Sequence, residues 1–216
     1  MRSLMRLLTL LCLAWSGLGA AQGADRVLAI DGAASDFHWL VYKSGALARL
    51  GHNHVIAVPN LSGSVTVGAQ DLSASRFEFV IPVADLVIDD AKLRSGLGEE
   101  FASVPTAKDV EGTRHNMLTD RVLDGDKFPT IRVTGAGPLG AAGAQTLKVK
   151  IELLGRTVDL TVPTKVTVTD DRVEASGAFD LNHADLGMQP FTALMGALAV
   201  GEKISFSYHV VARPAR

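Results

Sequence analysis

The sequence predicts an all-β protein, a closed antiparallel β-barrel of about eight strands with a short helical insertion. Apolar and polar residues alternate with a period of two through much of the chain, which is typical of strands that bury one face. Gly, Pro, Asn and Asp separate these segments, as expected of turns. About nine such segments occur, close to the number at which a closed barrel has room for one small ligand. Closure also removes the exposed edges of a long open sheet.

The clearest strand is 147–153, where every second residue is apolar and the others are charged. A second run, 158–162, follows it, and the tight turn Leu154-Gly155-Arg156 between them predicts a hairpin over 146–168. The same alternation appears in 77–83 and 204–210. Further strands bounded by turn residues are predicted at 26–30, 36–43, 53–58, 61–68, 129–136 and 172–181.

One segment, Asp89 to Asp124, lacks this alternation. Within it, residues 106–118 have apolar positions near helical spacing, and Thr106 and Asp109 supply a polar start. We therefore expect one or two short helices here, packed across one end of the barrel. The cluster of glycine and alanine from Gly135 to Ala144 predicts a loop.

The first residues have the pattern of a secretory signal peptide. Arg2 and Arg6 precede an apolar run, and the small residues Gly19-Ala20-Ala21 supply a cleavage site. The run is too short for a membrane-spanning helix, which needs about 20 apolar residues. The sequence thus predicts a leader, residues 1–21, and one exported domain, residues 22–216, that is periplasmic or secreted and has no transmembrane segment.

Composition narrows the function further. The only cysteine, Cys12, lies in the leader, so the mature chain has no disulfide, thiolate nucleophile or Cys-ligated metal. Loss of Arg2 and Arg6 leaves 19 of the 21 basic residues against 23 acidic ones, a net charge of −4 that argues against a nucleic acid partner. Common motifs of hydrolases, phosphate-binding loops and zinc proteases are absent from the sequence. We therefore predict a protein that is not an enzyme and has no cofactor, and interpret Asp89-Asp90 and Glu99-Glu100 as a solvated face.

Four stretches resemble the YceI-like family of exported, lipocalin-like barrel proteins that bind polyisoprenoid and other long-chain lipids. The most specific is TRHNMLTDRVLDGDKFPTIRV, Thr113 to Val133, which resembles the family's helix end, acidic turn and Phe/Tyr-Pro-x-Ile strand entry. Leu61-Ser62-Gly63, the turn at 154–158 and the segment 179–187 follow the family's order as well. The resemblance implies the same barrel around a lipid ligand, although His115 stands where many members carry an acidic residue.

The stretch ARLGHNHVI places His52 and His54 two positions apart, on one side of a strand. Together with His115 they could chelate zinc or copper. Alternatively they could anchor a lipid head group at the mouth of the barrel, where Arg49 and Arg114 would add positive charge. A third interpretation makes all three histidines structural.

Alternation also assigns inward-facing residues. These would either line a ligand cavity or simply fill the core, because both arrangements have the same pattern; the resemblance favours a cavity. We therefore predict an exported protein that encloses a lipid for carriage, storage or sequestration. The alternative is a metal-binding protein with hydrolytic or protective activity. The predicted inward-facing residues are Trp39, Phe77, Phe79, Val149, Ile151, Leu160, Val162, Phe206 and Tyr208.

Overall fold

A computed structural model of the chain describes residues 24–169 and 171–215. The predicted leader, residues 1–21, lies outside the described residues. Two α-helices are present, α1 (Ala91–Ser95) and α2 (Ala107–Leu118), and none of the described helices is long and apolar enough to cross a membrane. The strands are β1 (Arg26–Ile30), β2 (Asp36–Ser44), β3 (His54–Ala57), β4 (Ser62–Val67), β5 (Arg76–Pro82), β6 (Val87–Ile88), β7 (Thr130–Ala136), β8 (Gly143–Leu153), β9 (Arg156–Val168), β10 (Val173–Asn182), β11 (Thr192–Ala193) and β12 (Leu198–Arg213).

These strands form the predicted closed antiparallel barrel. Eight strand positions surround the core, because β1 and β2 both pair with β12, β3 and β4 continue one another, and β5 and β6 do the same. Three of the eight positions are interrupted, which means that each consists of two short strands: β1 and β2, β3 and β4, and β5 and β6. These three positions are neighbours in the barrel, whereas each of β7 to β10 is one continuous strand. A β1–β12 ladder, Ala29 opposite Arg213, closes the ring. The sequence prediction of an all-β barrel of about eight strands is therefore confirmed.

The central hairpin explains how alternation produces an inside and an outside. Leu153 pairs with Arg156 across a two-residue turn, Leu154-Gly155, in which both residues have positive φ, 53° and 70°. That geometry matches the right-handed twist of the flanking strands. Along β8 the charged side chains face solvent, while Leu147 is buried inside. The register therefore places every second residue of β8 and β9 in the barrel interior.

The segment between β6 and β7 forms the predicted helical insertion. Thr106 caps α2 through a capping box, since its hydroxyl accepts from the Asp109 amide and the Asp109 carboxylate accepts from the Thr106 amide. Met117 is buried against the barrel core, so α2 covers one end of the barrel. The predicted loop at 135–144 is shorter than expected, because β7 extends to Ala136 and β8 begins at Gly143. Glycine and alanine can occupy these strand positions because the hydrogen bonds between strands are made by the backbone.

Candidate functional site

The barrel encloses a cavity of about 440 Å³ at the end covered by α2. One wall comes from β2 and β12, another from β7 and β8, and the roof from one face of α2. The segment after β10 and the loop before β3 complete the rim. Most of the wall is apolar, and its inward-facing members include Trp39, Val41, Ile56, Ile81, Ile131, Val133, Ile151, Leu153, Met188, Ile204 and Phe206.

A second, smaller space of about 100 Å³ lies deeper in the barrel. It shares Phe37, Val133, Ile151 and Phe206 with the large cavity, so the two adjoin one another. Aromatic rings meet at this junction, with Phe179 and Phe206 stacked at 5.1 Å. The two spaces together make an elongated apolar interior, suited to a chain rather than to a compact polar ligand.

All nine residues predicted to face inward line one or both of these spaces. Trp39, Ile151 and Phe206 line the large cavity, and the last two also line the inner one. The Tyr208 hydroxyl lies 2.7 Å from that of Thr164; burial raises the pKa of Tyr208 although this hydrogen bond lowers it, so the phenol is a neutral wall group. The other predicted residues, Phe77, Phe79, Val149, Leu160 and Val162, line the inner space with Tyr208.

His52 and His54 lie on the polar edge of the large cavity. Their rings are 6.2 Å apart, and each is already engaged by protein groups. The Nδ1–H of His54 donates to Asp89 at 2.7 Å, and its Nε2 lies 3.5 Å from the Thr113 hydroxyl. His52 lies 3.4 Å from the Ser103 hydroxyl and 3.7 Å from the Asp109 carboxylate.

A buried ion pair stands behind His54. Asp89 and Arg94 approach to 2.7 Å, with side chains only 1% and 6% exposed. The Arg94 guanidinium also donates to the backbone oxygens of Asn53 and Ser103, and the Val55 amide donates to Asp89. Burial alone would raise the pKa of Asp89, but hydrogen bonding and charge from His54, the Val55 amide and Arg94 lower it below its ordinary value. The carboxylate is therefore ionised, and it fixes the His54 ring against the cavity.

The interpretation of Asp89-Asp90 as a solvated face is therefore wrong for Asp89. Its neighbour Asp90 is exposed and caps α1 by accepting from the Leu93 amide. Asp89 itself has a positive φ of 55°, which turns its side chain inward between β3 and α1. Alternation cannot identify such a residue because the chain leaves the strand at this point.

Three residues predicted as ligand contacts at the mouth are not among the residues that line the cavity. His115 is exposed and does not line the cavity, although Gly112, Thr113 and Asn116 of the same helix do. Arg114 donates to the backbone oxygens of Ala84 and Leu86 and so ties α2 to the barrel. Arg49 is exposed in a 3₁₀ turn, Ala48–Leu50, outside the cavity wall.

A metal site does not form from the three predicted histidines, since His52 and His54 line the cavity and His115 does not. Within 24–169 and 171–215, no group of three or more His, Cys, Asp or Glu side chains is placed to hold a metal ion. His54 already donates through Nδ1 to Asp89, and Arg94 neutralises that carboxylate. The polar edge is therefore arranged to make hydrogen bonds.

Sequence reasoning missed several polar residues on the same edge. His183 is buried, donates through Nδ1–H to the Glu202 oxygen at 2.9 Å and lines the cavity. Lys43, Lys108 and Asn116 line it too. Helical spacing could have linked Lys108 and Asn116 to Gly112, which lies between them on the same face. His183 offered no such signal, because it follows β10 in a 3₁₀ turn.

A family model described as the YceI-like domain matches residues 29–212. The chain belongs to the YceI-like family. Among curated protein sequences none matches it significantly. Similar solved structures include a polyisoprenoid-binding domain from Saccharophagus degradans implicated in plant cell wall breakdown, with TM-score 0.60 and 13% identity over 87% of this chain and 98% of that chain. Burkholderia cenocepacia BcnA gives 0.58 and 12% over 84% and 98%, and the Campylobacter jejuni YCEI protein 0.51 and 9% over 74% and 85%.

Two of the four YceI-like stretches contribute to the cavity end of this barrel. Residues 113–133 comprise the end of α2, a turn in which the Gly125 amide donates to the Leu118 oxygen, and the first half of β7. Residues 179–187 comprise the end of β10 and a 3₁₀ turn whose final Gly187 has φ 68°. Both stretches contribute cavity wall, through Met117 and Val122 in the first and His183 in the second. The family resemblance and the cavity therefore involve the same end of the molecule.

Proposed function

We propose that the protein is an exported binding protein that encloses a polyisoprenoid or other long-chain lipid for carriage, storage or sequestration. The observation that supports this most is the cavity of about 440 Å³, extended inward by a further apolar space of about 100 Å³. Burial of a hydrocarbon chain is worth about 0.8 kcal/mol per methylene, and no chemical step is needed. Export is proposed from the leader, residues 1–21, and the name of the Saccharophagus degradans domain supports the lipid class.

The polar edge of the cavity is proposed to receive the head group. His52, His54, Thr113 and Asn116 offer hydrogen-bonding groups beside an otherwise apolar wall. This is the usual composition of a lipid pocket, in which a few placed polar groups fix orientation. The chain would then extend past Trp39 and Phe206 toward the inner space.

Native mass spectrometry of protein purified from its own source should test the proposal. We expect a mass above that of the polypeptide, removed by solvent extraction and restored when a long-chain isoprenoid is added. The extracted material should be apolar, because the cavity wall is apolar. A protein that carries no extractable ligand and takes up neither isoprenoids nor fatty acids would refute the proposed function.

Replacement of both His52 and His54 by alanine should weaken binding of a long-chain fatty acid by about tenfold, the value of one or two lost hydrogen bonds to a charged group. Binding of the alcohol with the same chain should weaken less, since a neutral head gains less from these groups. Competition with a fluorescent fatty acid measures both affinities. His115→Ala is the matched control and should leave both unchanged, because His115 lies outside the cavity. Equal losses for acid and alcohol would contradict the assignment of the head group to this edge.

A further inference from the structure

An exposed apolar tip extends from the rim of the cavity. Leu194 and Met195, between β11 and β12, have positive φ of 49° and 53°, a backbone region that is strained for residues other than glycine. The strained turn directs both side chains outward, so Leu194 is 61% exposed and Met195 is fully exposed. A strained turn that exposes large apolar side chains to water is unfavourable for the isolated protein. This indicates that the tip contacts another molecule or surface.

The tip is continuous with the mouth of the cavity. Phe191 and Leu198, on either side of it, line the cavity wall. The Leu47 amide donates to the Ala197 oxygen at 2.8 Å, which holds the tip against the turn before β3. That turn carries Leu50, which lines the cavity and is 59% exposed. Three exposed apolar side chains therefore border one opening.

Positive charge surrounds the same opening. Lys43 and Lys108 line the cavity, and the Arg121 guanidinium lies 4.2 Å from the centre of the Phe191 ring. Arg49 is exposed beside Leu50. Among the described residues that line the cavity, Asp109 is the only acidic one, and its carboxylate is engaged by Thr106. Among the lining residues, the lysines Lys43 and Lys108 therefore outnumber the one carboxylate.

We propose that this rim is a docking surface for a lipid bilayer that contains anionic phospholipids. Leu194, Met195 and Leu50 would insert at the boundary between head groups and acyl chains, and the surrounding cations would contact lipid phosphates. Side chains that project separately suit insertion into a fluid interface, whereas a protein partner requires a continuous, complementary surface. Docking with the opening toward the bilayer lets a lipid enter the cavity without crossing water.

Flotation with vesicles of phosphatidylethanolamine and phosphatidylglycerol tests this surface. The wild-type protein should float with these vesicles and less with vesicles of phosphatidylcholine alone. The double variant Leu194→Asn with Met195→Asn should bind about tenfold more weakly, because it removes the inserted apolar groups. Asparagine tolerates positive φ, so the variant should fold normally, which thermal unfolding verifies. Val27→Thr is the matched control, since Val27 is 63% exposed on β1 toward the opposite end.

Three results would overturn the docking surface. The wild-type protein could fail to float with anionic vesicles, or the double variant could float as well as the wild type. A dimer of the lipid-free protein that the double variant abolishes, without any flotation, would assign the tip to a second copy of this chain instead. Native mass spectrometry of the same samples reports ligand retention separately. A failure of docking is therefore distinguishable from a failure of the proposed lipid-binding function.

Discussion

Asp89→Asn should lower the free energy of unfolding by about 3 kcal/mol or more, because it leaves the buried Arg94 charge without its carboxylate partner. Asparagine has nearly the same shape and tolerates the positive φ of 55° at this position, so the loss reports the charge rather than the backbone. The backbone oxygens that accept from Arg94 cannot replace a full negative charge. Urea unfolding followed by circular dichroism measures the difference.

The adjacent Asp90→Asn is the control. Asp90 is exposed and caps α1, and asparagine caps a helix about as well as aspartate, so this variant should change stability by well under 1 kcal/mol. Two neighbouring carboxylates should thus differ greatly in their contributions. Equal, small effects at both positions would show that Arg94 does not depend on Asp89.

Lowering the pH should remove the contribution of the Asp89–Arg94 ion pair to the free energy of unfolding. The pKa of Asp89 is lower in the folded protein, so its contribution to stability is fully present above the unfolded pKa of about 3.9. The contribution is lost as the pH falls through the lower folded pKa, where both states bind the proton. The difference in stability between the wild type and Asp89→Asn should therefore shrink below about pH 4.

Gly112→Trp should weaken binding of a fluorescent long-chain fatty acid by roughly 5- to 150-fold, the equivalent of about 1–3 kcal/mol of overpacking. Gly112 lines the cavity from the middle of α2, and a Cβ at this position would meet no atom within 4 Å. A side chain can therefore be added here without a clash at Cβ, and an indole that turns inward would occupy space needed by the ligand. The fold should survive, because any residue other than glycine or proline favours the helix.

Gly112→Ala separates occupancy of the cavity from the change in the helix. Alanine should stabilise α2 by up to about 1 kcal/mol and leave the affinity unchanged. Thermal unfolding and fluorescence titration of both variants provide the comparison. If the tryptophan variant binds the fatty acid as tightly as the alanine variant, the ligand does not occupy the space beneath α2.

The strands could be predicted because they depend on short-range patterns. In β8 the charged residues Lys148, Lys150 and Glu152 alternate with apolar ones, and the turn after Leu153 carries glycine where positive φ is needed. The start of α2 was predictable for the same reason, since Thr106 and Asp109 meet within one helical turn. Such features need no information about distant parts of the chain.

The polar edge could not be predicted in full because its pairings are long-range. Asp89 meets His54 only when β3 and β6 are adjacent, and 35 residues separate the two in sequence. The position of His115 depends on how α2 is rotated about its axis over the barrel. Arg114 sets that rotation by donating to the Leu86 oxygen, a contact that side-chain alternation does not encode.

On one side of the barrel, the breaks between β1 and β2, β3 and β4, and β5 and β6 lie side by side, and we call this line of breaks the crease. Gly32 in the first interruption lies so close to the Leu61 oxygen that a Cβ there would be 2.6 Å away, so the breaks are aligned across neighbouring positions. Below the crease, β1, β4 and β5 close the ring; above it, β2, β3 and α2 shape the opening. Substitutions above the crease can therefore accumulate without shifting the register that closes the ring. The strands that close the ring and the segments that shape the opening are therefore physically separate on this side of the barrel.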